Sequence, residues 1–275
     1  MKSLIKLFFL FGLVACSDFK ENTITLRFSP EEETKASANL NELFSKLNIM
    51  LFDSAGNKAL DKVKTQTISE EGFGTLSLTL GEGTYTVVAV GHSSYTSATI
   101  KSPSSVQFTA HEGEKLTDTF SIYKKITVSG KETYNLIMER VVAMFRLRMT
   151  DEEVPQEVVK VKFEYTGGSA NYNPITKEGT TKSSQSELKQ RTANNVYEVF
   201  TFPYQNASGT LKITVSAIDK NDVVIESRTF ENVPVTRNMI TEYKGEFFSG
   251  SSNFTGNTFV FSADPSWDGT MTFDF

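Results

Sequence analysis

The sequence predicts an all-β protein built as two antiparallel β-sandwiches in tandem, and three observations carry that expectation. Strand-favouring residues are plentiful, with 22 Phe and 9 Tyr among 275 residues. Short runs of strict apolar/polar alternation recur along the chain, separated by Gly, Asn and Asp turns. Sustained helical periodicity is scarce.

The first segment stands apart from this pattern. Lys2 and Lys6 precede an unbroken apolar run, Leu7 to Ala15, which is about the length of a secretory h-region and shorter than the roughly 20 residues a mature membrane helix needs. Leu13-Val14-Ala15 leads directly into Cys16, the single cysteine of the chain. This is the pattern of a bacterial lipoprotein signal: cleavage before Cys16 makes it the first mature residue, and its thiol and amino group receive acyl chains. Two or three acyl chains anchor a protein stably, since each buried methylene contributes about 0.8 kcal/mol. With one thiol, an intrachain disulfide is impossible.

After the signal, "NTITLRF" alternates Ile24, Leu26 and Phe28 with Thr23, Thr25 and Arg27, a half-buried strand. Ser29 to Asn39 follows as an acidic loop, and Leu40, Leu43, Phe44 and Leu47 have helical spacing over one short turn that covers a sheet edge. "KLNIMLF" is a strand that runs into the turn Asp53-Ser54-Ala55-Gly56. Leu76/Leu78/Leu80 and Tyr85/Val87/Ala89, joined by Gly81-Glu82-Gly83, read as a β-hairpin. "SVQFTA", "DTFSIY" and "KITVSG" supply further strands. The apolar parity then changes, from Tyr134, Leu136 and Met138 to Val141, Ala143, Phe145, Leu147 and Met149. A strand cannot change face without a break, so the domain boundary is expected at Glu139-Arg140. The expected organisation is a signal peptide over 1–15, a first sandwich over 16–139 and a second over 140–275. The second half continues with "VVKVKFEY", a long exposed excursion over 167–195 rich in Ser, Thr, Lys and Gly, then "VYEVFTF", "TLKITVSAID", "VVIESRTF", "TEYKGEFF", "NTFVFSA" and the closing strand with Met271, Phe273 and Phe275.

Several function classes lose their parts at this level. Removal of Lys2 and Lys6 takes the formal charge from −5 to −7, and no basic run is present, so a nucleic-acid partner is not expected. The two histidines, His92 and His111, lie far apart, and no HExxH, cysteine pair or GxSxG occurs. No catalytic residue, metal ligand or cofactor is expected, and the chain reads as a non-enzyme. The glycines of "GEGTYTVVAVG" join strands and precede no helix, which excludes a phosphate loop. Trp267 reads as a loop or core-edge aromatic in preference to a sugar platform, and the DSAG stretch reads as a turn in preference to a glycosylation acceptor.

Taken in order, Cys16, "LNIMLFDSAGN", "LTLGEGTYTVVAVGHSS", "YNLIMERVVAMFRLRM" and "VTRNMITEYKGEFF" resemble the fimbrillin superfamily of surface lipoproteins, and within it the FimB-type anchor and accessory subunits. The resemblance implies transthyretin-like sandwiches, a place in the fimbrium on the cell outer membrane, and other fimbrial subunits as partners. It also implies assembly by strand complementation, in which a first strand lost after proteolysis at a basic residue is replaced by a neighbour's C-terminal strand. In this sequence Ile24, Leu26 and Phe28 are the candidates for the strand filling the groove, Arg27 and Lys35 for processing, and Met271, Phe273 and Phe275 for a donor or ordinary last strand. A chain that keeps its lipid keeps its first strand, because a cut after Lys35 would separate the body from Cys16. The alternative expectation is a surface glycan-binding lipoprotein of a polysaccharide-uptake system.

Overall fold

The structure is a computed structural model, and it describes residues 22–31, 39–111, 114–204, 208–248, 260–262 and 267–275. The described residues are almost entirely β. In the first half, β1 (Asn22–Pro30) is followed by the single-turn helix α1 (Leu40–Leu43). Then come β2 (Lys46–Phe52), β3 (Lys64–Thr67), β4 (Thr75–Leu80), β5 (Gly83–His92), β6 (Thr99–Ser102), β7 (Ser105–Gln107), β8 (Phe120–Val128) and β9 (Glu132–Arg140). Seven of these strands hydrogen-bond in the order β3-β2-β5-β8-β9-β1-β4. β8 and β9 share only the register pairs Phe120 with Arg140 and Ser121 with Glu139. Both portions of the sheet nevertheless feed one core, with Ile24, Leu26, Leu136 and Met138 from one side and Leu47, Ile49, Val87 and Ala89 from the other. The narrow β8–β9 seam is therefore where the sheet turns over into a sandwich.

The second half comprises β10 (Ala143–Met149), β11 (Lys160–Thr166), β12 (Asn171–Asn173), β13 (Glu178–Gly179), β14 (Gln185–Gln190), β15 (Val196–Thr201), β16 (Ser208–Ile218), β17 (Val224–Thr236), β18 (Met239–Gly245), β19 (Val260–Ser262) and β20 (Gly269–Asp274). Two sheets, β15-β10-β18-β20-β19 and β14-β11-β16-β17, enclose a core that includes Phe145, Phe163, Val215, Tyr243 and Phe273. Alternation explains this packing directly: Val161, Phe163 and Tyr165 of β11 are buried, and Glu164 between them is exposed.

A third core joins the halves. Met50, Phe52, Val88, Val90, Ile100 and Val106 meet Met144, Tyr172, Phe202 and Ile240 there. A small sheet, β13-β12-β7-β6, crosses between them with Tyr172 opposite Val106. This shared core is why β2 and most of β5 are buried on both faces, the odd residues of β2 facing the first core and the even ones the third.

Four expectations change. The stretch joined by Gly81-Glu82-Gly83 is no hairpin: β4 pairs with β1, whereas β5 pairs with β2 and β8. A glycine-bearing loop marks a reversal, but it cannot say whether the next strand joins the same layer or the facing one. The stretch over 167–195 is also not an exposed excursion throughout, since it contains β12, β13 and β14 and buries Ala170, Tyr172, Gln185 and Glu187. Inward-facing polar side chains hid β14, because its buried row begins Gln185-x-Glu187. Finally, "DTFSIY" and "KITVSG" belong to one long strand, β8. The parity change lies slightly later than its first sign. Arg140 keeps the inward parity of Leu136 and Met138, and Val141 and Val142, both buried, form the break before β10.

Candidate functional site

β1 is inserted between two strands that are not its neighbours in sequence. It runs antiparallel to β4, with Asn22 to Arg27 opposite Leu80 to Thr75, and parallel to β9, with Ile24 to Pro30 beside Glu132 to Met138. Ile24 and Leu26 are fully buried and Phe28 nearly so, whereas Thr23, Arg27 and Ser29 face solvent. The Phe28 N–H also donates to the Gly74 carbonyl at 2.8 Å. Gly74 sits at φ +84°, and a Cβ there would come within 2.7 Å of Leu40 Cδ1, so a glycine is required where the chain closes over the end of β1. Removing β1 would leave facing ladder groups of β4 and β9 unpaired and open an apolar slot in the first core. Such a slot would have the shape of an extended segment whose alternate residues are apolar.

The processing candidates fall at different places. Arg27 is exposed, yet its backbone is laddered to β4 and β9. Lys35 lies outside the described residues, as does Cys16.

At the other terminus, β20 lies parallel to β18 and antiparallel to the three-residue β19. Met271 is half-buried; Phe273 is buried and stacks on Tyr243 with ring centroids 4.8 Å apart. Phe275 meets Phe230 edge-on at 5.0 Å, and its N–H donates to the Lys244 carbonyl at 3.1 Å. A Cβ on Gly245 would approach the Phe275 carbonyl oxygen to 2.0 Å, so that glycine is what lets the last residue lie down on β18.

Between the halves sits a buried arginine that the sequence reading placed only at a boundary. Arg140 Nε donates to Asp118 Oδ1 at 2.8 Å, Nη2 to Asp118 Oδ2 at 2.9 Å and Nη1 to Asn238 Oδ1 at 3.0 Å. Its guanidinium lies 4.0 Å from the centre of the Trp267 ring and 4.7 Å from that of Phe120. The residue thus ties β9, the segment before β8, the β17–β18 turn and the start of the closing strand into one knot. Burial pushes the Asp118 carboxyl above its usual range, against the opposing pull of Arg140. The signal was legible in the parity: Arg140 continues the inward row of Leu136 and Met138.

The remaining sequence candidates are structural. His92 is fully buried; its Nδ1 accepts the Ser94 N–H at 3.1 Å, which leaves the proton on Nε2 to donate to Asn48 Oδ1 at 2.7 Å. Burial first, then the Lys46 charge, hold it neutral, with its pKa lowered to about 4. His111 stacks on the exposed Tyr95 at 3.7 Å. Asp53 Oδ1 accepts the N–H groups of Ala55 and Asn57, closing the DSAG stretch as a turn. Among the described residues no group of three His, Cys, Asp or Glu is placed to hold a metal ion, and no helix is long and apolar enough to cross a membrane.

A family model described as fimbrillin-A associated anchor proteins Mfa1 and Mfa2 matches residues 15–259. The chain belongs to this family. As a member of the fimbrillin-A associated anchor proteins it is a structural subunit of fimbriae, which places it at the cell surface among other fimbrial subunits. No curated protein sequence matches it. Among solved structures, a candidate adhesin of Bacteroides ovatus is similar at 13% identity and TM-score 0.50, covering 78% of this chain and 84% of that one. A candidate polysaccharide-binding protein of Bacteroides thetaiotaomicron is similar at 10% identity and TM-score 0.50, covering 79% of each chain. The fimbrial anchor protein Mfa2 of Porphyromonas gingivalis is similar at 10% identity and TM-score 0.44, covering 76% of this chain and 82% of that one.

Proposed function

We propose that this fimbrial subunit is an anchor, fixed to the outer membrane by acyl chains on Cys16, that retains its first strand and has no catalytic role. The observation that supports this reading most is the position of β1. Its two ladders and its three buried apolar side chains make it an integral strand of the first core. Only residues 17–21 separate it from Cys16. A cut after Lys35 would leave the body attached to the lipid solely through non-covalent contacts of β1. In this reading the two sandwiches divide near Glu139-Arg140, with the third core holding them together, and the last strand with Met271, Phe273 and Phe275 serves its own sheet.

The test is an intact-mass measurement on protein extracted from membranes, together with deletion and Cys16→Ser strains. The anchor reading requires an acylated N-terminus at Cys16, with fibres shed into the medium when Cys16 is replaced. A mature N-terminus at Ala36, or unchanged attachment of fibres in the deletion strain, would reject it. The glycan-binding reading has less support, because Trp267 is only 8% exposed and packs on Arg140, so it presents no free platform.

A further inference from the structure

The direction of β1 relative to β9 has a mechanical consequence. The chain leading back to Cys16 leaves β1 at its Asn22 end. β9 runs parallel to β1, with Ile24 beside Glu132 and Pro30 beside Met138. The chain leading into the second half therefore leaves β9 at the opposite end of the pair, through Arg140, Val141 and Val142 into β10. A pull between the N-terminal segment and the second half draws β1 and β9 past each other along their common axis.

We infer that β1 is a mechanical clamp, oriented so that tension between the N-terminal tether and the second half loads it in shear. In shear the seven register pairs with β9 and the six with β4 are strained together. Slippage also drags Ile24, Leu26 and Phe28 through the core at the same moment. If the same strand were pulled sideways from one end, the pairs would open one after another, each facing the full force alone. Forced separation is governed by the barrier to the first irreversible step, so the two directions differ in rate although the bonds are the same.

The rest of the molecule continues this line. β10 leads away from the junction, and β18, parallel to it, ends at Gly245, whose carbonyl accepts the Thr150 N–H beyond β10. The connection beyond β10 returns through Val159, whose N–H donates to the Ile218 carbonyl at 3.0 Å, so the β16–β17 turn around Lys220 lies at the far end of the second half. The knot of Arg140 with Asp118, Asn238, Phe120 and Trp267 braces the point where the path passes between the halves.

The physiological meaning of the clamp rests on the anchor reading, but its measurement does not. Force spectroscopy uses the full chain with Cys16 unacylated, so that the natural thiol carries one handle. The second handle is attached at Lys220→Cys or at Lys131→Cys, both exposed positions. Lys220 pulls against the far end of the second half and shears β1; Lys131, just before β9, lies beside the Asn22 end and peels it. Matched melting temperatures of the two variants remove stability as a variable. The expected result is a rupture force several-fold higher for the Lys220 handle at the same loading rate. Equal forces, or a higher force for the Lys131 handle, would overturn the clamp. Either result leaves the mass and attachment of the cellular protein, which test the anchor reading, to be judged separately.

Discussion

The first and last strands of this molecule are built alike and held unlike. Both lie parallel to a strand far away in sequence, β1 beside β9 and β20 beside β18, and both present alternate apolar side chains to a core. β1 is laddered over six residues on one side and seven on the other, and among the described residues β20 has six partners in β18 and three in β19. Ile24 and Leu26 are wholly buried, but Met271 and Phe275 are half-exposed at the rim of the second core. A terminal strand can thus be either a keystone or a closing seam, and alternation alone does not distinguish the two.

The largest expected effect tests the keystone. Leu26→Asp places a carboxylate in the fully apolar first core, and β1 cannot rotate it to solvent without turning out Ile24 and Phe28 as well. The expected outcome is loss of a cooperative unfolding transition for the first core, read by near-ultraviolet circular dichroism, whereas Arg27→Asp one residue away leaves that transition in place. A milder pair compares the two termini directly. Leu26→Ala should cost about 3–5 kcal/mol and Met271→Ala about 1–2 kcal/mol in urea unfolding, because the first leaves a closed cavity and the second a dent at the rim. Equal costs would break the contrast between the strands.

How much of this contrast could be read in the sequence follows from what alternation encodes. Ile24, Leu26 and Phe28 announce a strand with one buried face, and so do Phe273 and Phe275. What alternation omits is the partner: the insertion of β1 between β4 and β9 is decided by pairings 48 to 108 residues away, which no local pattern records. The same gap produced the mistaken hairpin at Gly81-Glu82-Gly83, where local signals were right about both strands and silent about their layers. The third core was hidden for a related reason. Val88 and Val90 alternate with Val87 and Ala89 in one continuous apolar run, and the sequence offers no sign that one row belongs to the first sandwich and the other to the junction. Buried polar groups were the hardest to see, since Glu187, Gln185 and His92 look like surface residues until their partners are known.

Two of those buried groups, His92 and Glu187, respond to acid with opposite sign. In the first half His92 has its folded pKa depressed from 6.5 to about 4, so the unfolded chain binds the extra proton over that window. The neutral-imidazole contribution is complete above pH 6.5 and fades as the pH falls toward 4, a loss of about 3 kcal/mol. In the second half the sign reverses. Glu187 is buried, accepts the Tyr165 hydroxyl at 2.6 Å and faces Lys189 at 3.0 Å; burial outweighs that cation and raises the carboxyl above its ordinary 4.5. The folded state then holds the proton more tightly, and this group favours folding more as the pH drops through that raised value. Melting curves at pH 7 and pH 5 in wild type and His92→Gln should show the wild type losing stability on acidification and the variant losing less. An unchanged pH slope in the variant would remove His92 as the source.

Amide exchange offers the gentlest comparison of the two terminal strands. The β1 amides are bonded between two long neighbours in the middle of a sheet, so their release requires the first core to open. The end of β20 toward Asp274 is different, because Met271 and Phe275 are half-exposed at the rim of the second core. The expected result is that Ile24, Leu26 and Phe28 exchange with the slowest set in the first half, while Phe273 and Asp274 exchange measurably faster than Tyr243 in the adjoining β18. That difference is also what a subunit would show if its closing strand were the easier of the two to displace. Equal protection at Phe273 and Leu26 would mean that the rim of the second core is as tightly closed as the centre of the first.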